Sequence, residues 1–371
     1  MSRQDPPKPE TIDTRRLRVD DFDYPLPEAA IAQIPVEPRD ASRLLILDRG
    51  RSRPGVPALE HATFRELGHW LRPGDLLVIN DSRVIPARLR GTRSGGGEAE
   101  VLLLRELAPL EWEALVRRSR RTRVGDRVEL GSGDSVEIGG RAGDGTRIVR
   151  FDREPRAVMA ASGEMPLPPY IRDRSSPPER YQTVYARPPG SAAAPTAGLH
   201  FTPELIASLQ SNGVRLTSVT LHVGLDTFRE LEGEFVDEHK IHTEWYEVPP
   251  GTVRAIADAR ASGGRVVAIG TTSVRVLEAA ARGRPDRANS SATGWTDLYI
   301  TPPYQFAVVD VLVTNFHLPR SSLLLMVTAF VQAGMNRADA YQARDTLLAA
   351  YAQALGVGYR FFSFGDAMLI A

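Results

Sequence analysis

Three histidines of this 371-residue chain stand where a loop meets a regular element: His200 in Pro195-Thr-Ala-Gly-Leu-His-Phe-Thr202, His222 in Leu221-His-Val-Gly224, and His317 in Thr314-Asn-Phe-His-Leu-Pro319. Imidazole has the ordinary pKa nearest neutrality, so each could take or give a proton at physiological pH. The competing reading of each is a hydrogen-bonded structural residue. His222 ends the apolar, β-branched run 214–223, and ligands of open α/β sheets gather beyond the carboxyl ends of strands.

A second feature is Gly270-Thr-Thr272-Ser273, placed between the strand-like run 265–269 and a helical window at 274–281. A glycine turn and hydroxyl caps at a helix N-terminus favour an anion such as a carboxylate or phosphate, or else merely cap the helix. The stretch lacks the spaced glycines of a dinucleotide site.

Arg117, Arg118, Arg120, Arg121 and Arg123 put five arginines into seven positions. Bidentate donors so close together suit an RNA backbone, and a solvated loop is the plain alternative. His239-Lys-Ile-His242 has zinc-ligand spacing, but without cysteine or a clear helix no metal is expected.

Lys+Arg and Asp+Glu both number 46, so a polyanion would have to be met by a local basic patch rather than by the whole-protein field. No cysteine is present, which excludes disulfides, thiolate metal sites and cysteine nucleophiles. Residues 1–10 lack the apolar segment of a signal peptide, and the apolar run 323–331 is far shorter than the roughly twenty residues that cross a bilayer. A soluble cytoplasmic protein with a disordered stretch at 1–14 is expected, away from membranes, as a monomer or weak homodimer.

The elements that must carry these residues follow from pattern. Thr202 can cap a helix starting at Pro203, and Gly213 can take the left-handed position after it. Helices are expected at 28–33, 63–71, 156–163, 252–261, 323–332 and 341–355, with strands at 44–47, 214–223, 265–269, 297–300 and 308–313. Between 75 and 151 the texture changes to short runs at 76–79, 87–89, 99–104, 112–116, 127–130, 135–138 and 146–151, separated by glycine turns. Such spacing suggests a small β-barrel. The fold class is therefore α/β: a large mixed α/β domain (15–72 and 157–371) with a small β-barrel domain (73–156) inserted. The aromatic run Tyr359-Arg-Phe-Phe-Ser-Phe-Gly-Asp366 reads as core.

Seven of these stretches resemble one family, the S-adenosylmethionine:tRNA ribosyltransferase-isomerases that make epoxyqueuosine. They are Asn80-Asp-Ser-Arg-Val-Ile-Pro-Ala-Arg-Leu89, Pro166-Leu-Pro-Pro-Tyr-Ile171, Arg180-Tyr-Gln-Thr-Val-Tyr-Ala186, Ala194-Pro-Thr-Ala-Gly-Leu-His-Phe-Thr202, Gly270-Thr-Thr-Ser-Val-Arg275, Thr314-Asn-Phe-His-Leu-Pro319 and Tyr359-Arg-Phe-Phe-Ser-Phe-Gly-Asp-Ala-Met-Leu369. The resemblance implies a site in the cleft between barrel and α/β body. It implies S-adenosylmethionine as a ribosyl donor and, as partner, a tRNA carrying 7-aminomethyl-7-deazaguanine at the wobble position. Adenine and methionine would leave as the ribose becomes an epoxycyclopentanediol. Two departures stand out: Leu225-Asp226 where the family usually has Ala-Gly, and Pro302-Pro303-Tyr304 where a Pro-Gly-Tyr turn is usual.

On that chemistry His200 or His222 would take the C5′ proton beside the sulfonium, and His317 or Asp366 would help adenine leave. Asp81, Tyr181 and Tyr304 are candidates for the sulfonium, and Arg275 or the turn of Thr271, Thr272 and Ser273 for the methionine carboxylate. Two alternatives are the same donor chemistry on a free 7-deazapurine or small amine, and a catalytically silent tRNA-binding protein.

Overall fold

The computed structural model describes residues 16–117, 122–143, 145–224, 230–283 and 292–371. Four parallel strands make the middle of a nine-stranded sheet, with Arg215–Leu221, Leu76–Asn80, Val266–Ile269 and Val311–Asn315 side by side in that order. The last three are buried along their whole length. Covered on both faces, they open as unbroken apolar runs rather than alternations, with Asn80 and Thr314-Asn315 at the carboxyl ends of two of them. The antiparallel strands Glu244–Val248 and Ala292–Thr296 extend the sheet to one edge, and Ala367–Ile370, Arg43–Arg53 and Val56–Thr63 complete the other.

Successive side chains of a strand point to opposite faces, so the sheet separates two cores. Leu76, Val78, Val266 and Ala268 face the helices Thr271–Gly283, Ser322–Gly334 and Ala340–Gly356. Leu77, Ile79, Val267 and Ile269 face the helix Pro203–Ser211. That helix starts as its sequence dictates: Thr202 Oγ1 accepts from the Leu205 amide at 3.1 Å, Pro203 fills the first position, and Gly213 takes φ +81° beyond its end.

The barrel lies between the strand Leu76–Asn80 and the helix Pro155–Ser162 in the chain. Its six strands are Arg88–Arg93, Glu98–Ala108, Glu111–Val116, Arg127–Leu130, Ser135–Gly143 and Thr146–Phe151. Arg88–Arg93 pairs on both sides, with Glu98–Ala108 and with Arg127–Leu130, and so closes it. Gly91 is needed at that closure, because a Cβ there would come within 2.1 Å of the Glu129 carbonyl oxygen.

Several local expectations change. The run at 76–79, grouped with the barrel on texture, is a central strand of the large sheet. The windows 28–33 and 63–71 hold only 3-10 turns, Glu28–Ala30 and Phe64–Trp70. The strand expected at 297–300 lies upstream at Ala292–Thr296. The strand expected at 44–47 runs through to Arg53 and turns at Gly55, φ +71°, into a hairpin with Val56–Thr63. Cross-strand pairing decides where the strand ends, over the residue preferences within it.

Candidate active site

The carboxyl ends of two central strands are latched by one side chain. Asn80 Nδ2 donates to the Leu221 carbonyl at 3.0 Å, while its Oδ1 accepts from the amides of Leu221 and Ser82 at 3.1 Å each. This latch brings Ser82 beside His222, with Oγ and Nδ1 2.7 Å apart. Below the imidazole lies Trp245, its ring 5.0 Å away at 20°, effectively stacked. Gly190 packs over a face of the imidazole so tightly that a Cβ would stand 2.5 Å from Nε2 and 2.7 Å from Cδ2 and Cε1. Among the described residues Nε2 has no protein hydrogen-bond partner. Burial pushes the imidazole down to about 4, against the opposing charge of Asp81. At neutral pH the ring is therefore uncharged and able to accept a proton.

His222 faces a cleft of about 1030 Å³ between the strand ends and the barrel. That volume is at the upper end of the range for small-molecule sites. The α/β body contributes His222, Trp245, Arg275, Tyr299 and Met326 to it, and the barrel contributes Arg105, Trp112, Glu113 and Thr146. On the barrel wall Glu113 is held at both oxygens, by Arg105 Nε at 2.5 Å and by Thr146 Oγ1 at 2.6 Å. On the opposite wall Arg275 and Glu244 form a buried ion pair. Glu244 Oε1 also accepts from the Gly224 amide at 2.9 Å, and Arg275 Nε donates to the Leu298 carbonyl at 3.2 Å.

The other two histidines singled out at element ends, His200 and His317, lie outside this cleft. His200 is buried, with Ser42 Oγ 2.7 Å from Nδ1, Asn315 Nδ2 3.1 Å from Nε2, and Phe64 stacked at 5.0 Å. Burial, with the charges of Arg360 and Arg39, pushes it down to about 3. His317 is buried too, its Nε2 2.9 Å from Thr314 Oγ1, and burial pushes it down to about 3. Asp366 accepts from the backbone amides of Arg43 and Arg360 at 2.8 Å each, tying the C-terminal aromatic segment to the first strand of the sheet.

Asp81 Oδ1 accepts from Thr220 Oγ1 at 2.7 Å, near enough to His222 for its charge to act there. Tyr181 is fully buried against Phe364, and Tyr304 packs on Phe306 and under Arg282, so neither reaches the cleft. Gly270, φ +87°, turns the chain into the helix Thr271–Gly283. Ser273 Oγ donates back to the Ile269 carbonyl at 2.8 Å, while Thr271 and Thr272 line a side cavity of about 60 Å³ with His317 and Asn315. Leu323 lines both this cavity and the large cleft.

Of the arginine run, Arg117 and Arg123 are exposed and line neither cavity. Arg118, Arg120 and Arg121 lie outside the described residues, as do Leu225 and Asp226. His239 and His242 both line the large cleft, where His239 Nδ1 accepts from the Glu232 amide at 3.3 Å.

Gly190, Glu113, Glu244 and Trp245, which line the cleft, and Ser82, which holds His222 from behind it, are residues that sequence reasoning missed. Ser82 lies inside the motif beginning at Asn80, which offered a signal; the others are joined to the site only by strand pairing and domain packing.

Comparison with known proteins supplies the family. The family model for queuosine biosynthesis proteins matches residues 19–370. The S-adenosylmethionine:tRNA ribosyltransferase-isomerase of Moorella thermoacetica is 50% identical over 359 residues, 95% of this chain and all of that one. Its counterpart in Heliobacterium modesticaldum is 51% identical, over 94% of this chain and 98% of its own. The crystal structure of S-adenosylmethionine tRNA ribosyltransferase from Thermotoga maritima shares 41% identity and a TM-score of 0.54, covering 95% of this chain and 100% of that one. With a match that spans both the sheet and the barrel, the chain belongs to the queuosine biosynthesis protein family.

Proposed function

We propose that this protein transfers and isomerises the ribosyl group of S-adenosylmethionine onto the aminomethyl nitrogen of 7-aminomethyl-7-deazaguanine at a tRNA wobble position, releasing adenine and methionine. It acts as a soluble cytoplasmic monomer or weak homodimer; no described helix is long and apolar enough to cross a membrane. The observation that carries the reading is His222: of the three histidines at element ends, it alone faces the large cleft, in a chain whose family match is nearly full length.

The donor's sulfonium makes its C5′ hydrogen acidic, and Nε2 of neutral His222 is the group set to remove it. Ser82 fixes the other ring nitrogen, and Trp245 with Gly190 fixes the plane. An imidazolium whose pKa is held down gives its proton up readily, so the same ring serves as the donor to the departing purine. His200, His317 and Asp366 then act by holding strand ends and the C-terminal segment in place. Asp81 supplies negative charge near the sulfonium, and the side cavity at Thr271 and Thr272 takes the methionine carboxylate at a helix N-terminus. Arg275 is already committed to Glu244, so it shapes the wall rather than binding that carboxylate.

The test is incubation with S-adenosylmethionine and tRNA bearing the precursor base, followed for free adenine and for a mass gain on the RNA. Wild-type protein should give both, and His222→Ala should fall by about 100-fold or more, the range for a lost general base. Near-normal turnover in His222→Ala eliminates the base assignment. Adenine release without a gain on RNA would favour a small free acceptor instead.

A further inference from the structure

His222 does not stand alone on its face of the sheet. Its amide donates to the Trp245 carbonyl at 3.0 Å, and Trp245 pairs directly with Trp295 on the next strand. Residues opposite one another on neighbouring strands project to the same face, with side chains about 5 Å apart. His222, Trp245 and Trp295 therefore form one row of rings across three strands, and all three line the large cleft. The row runs from the strand end to the outer edge of the sheet, where Trp295 is 52% exposed.

A tryptophan half in water on an edge strand is costly unless something covers it, and here a cation from the other domain comes to it. Arg105 of the barrel places its guanidinium 5.4 Å from the Trp295 ring centre, while its Nε is held by Glu113. The barrel wall and the sheet edge thus meet at the mouth of the cleft through an aromatic face and an arginine. Exposed aromatics beside arginine are how proteins hold single-stranded nucleic acid: bases stack on the ring and the cation meets the backbone. Lys240 and Arg156 line the same cleft, which also carries Glu106, Glu230, Glu232 and Glu238, so the place for a phosphate is the local one beside Trp295 and Arg105 rather than the cleft as a whole.

We propose that Trp295 is the stacking platform for an unpaired nucleobase adjacent to the target base, with Arg105 positioned for the neighbouring phosphate. This rests on the tRNA reading above and goes beyond it, by assigning the flanking nucleotide its own subsite two strands away from His222. The target base lies at the inner end of the row and its neighbour at the outer end. Selection of the RNA is thereby separated from the proton chemistry.

The experiment uses the full chain, a hairpin RNA of the anticodon stem and loop carrying the precursor base, and S-adenosylmethionine. Trp295→Ala should raise KM for the hairpin by about 10-fold or more, with kcat and the donor KM within twofold of wild type, the scale of one lost base stack. Trp295→Phe should restore most of the affinity. Titrating the hairpin into wild-type protein should quench tryptophan fluorescence, and the quench should shrink in Trp295→Phe, a readout that needs no turnover. Unchanged hairpin KM in Trp295→Ala, an equal rise in donor KM, or an undiminished quench in Trp295→Phe overturns the proposal. Failure of wild-type protein to consume S-adenosylmethionine would instead count against the proposed reaction, with the fluorescence arm still deciding whether Trp295 holds RNA.

Discussion

Ser82 Oγ lies 2.7 Å from His222 Nδ1 across 140 positions of sequence. Ser82 is fully buried, and His222 is pinned at this one nitrogen while the other faces the cleft. On the proposed reaction Ser82 is a positioning residue, and its loss should leave an imidazole free to turn. Ser82→Ala is expected to lower single-turnover adenine release by about 10-fold, since small misplacements of a reacting group are costly. Ser82→Thr, which keeps the hydroxyl, should recover most of it. A purely structural serine would show itself differently, as a lower melting temperature with full activity per folded molecule.

The depressed pKa of His222 sets a pH dependence. If His222 is the base proposed above, the active form is the neutral ring, and raising pH through about 4 produces it. Between about pH 5.5 and 8 the ring stays neutral, so kcat/KM should show no limb from an imidazole of ordinary pKa near 6.5. Burial is the largest cause of the shift, and Trp245 covers one ring face. Trp245→Leu should admit water, raise the pKa, and bring an acid limb toward neutrality. A wild-type limb near pH 6.5 that disappears in His222→Asn would contradict this.

The loop–helix–strand unit around Pro203–Ser211 was legible because its caps are local: a threonine, a proline and a glycine each act within one turn. The barrel was legible from the rhythm of glycine turns, although the strand Leu76–Asn80 has the same apolar texture and belongs to the other sheet. Trp245 and Glu244 were invisible as site residues. Their roles arise from antiparallel pairing with Arg215–Leu221 and from a helix that presents Arg275, and neither is encoded in nearby residues. Three histidines looked alike in sequence, yet packing buries two of them away from the large cleft. Phe64 and Asn315 enclose His200, and Thr314 and Tyr351 hold His317.

Those two enclosed histidines predict an acid-labile fold. Each is neutral when folded down to about pH 3, whereas in the unfolded chain it binds a proton near pH 6.5. Between those values the unfolded state holds more protons, so stability is full above about 6.5 and is lost as pH falls. The slope should approach about 1.4 kcal/mol per pH unit for each histidine. Urea midpoints measured from pH 7.5 to 5 should fall accordingly, and His317→Gln should flatten the slope even if it lowers the midpoint at pH 7.5. A pH-independent midpoint over that range would rule out both assignments.

Glu244 and Arg275 face the cleft as an ion pair, and on the proposed reaction their mutual neutralisation keeps this wall from repelling the donor's sulfonium. Both side chains are about nine-tenths buried or more, so neither charge has water to replace its partner. Glu244→Gln retains an oxygen for the Gly224 amide but strands the Arg275 charge. It should destabilise the protein by about 3 to 5 kcal/mol, read as a lower urea midpoint at pH 7. Glu244→Gln with Arg275→Met removes the stranded charge and should recover much of that loss. The donor KM separates this from a binding role. If Arg275 waited for the methionine carboxylate, freeing it from Glu244 would lower the donor KM; a wall residue predicts a KM that rises or stays level.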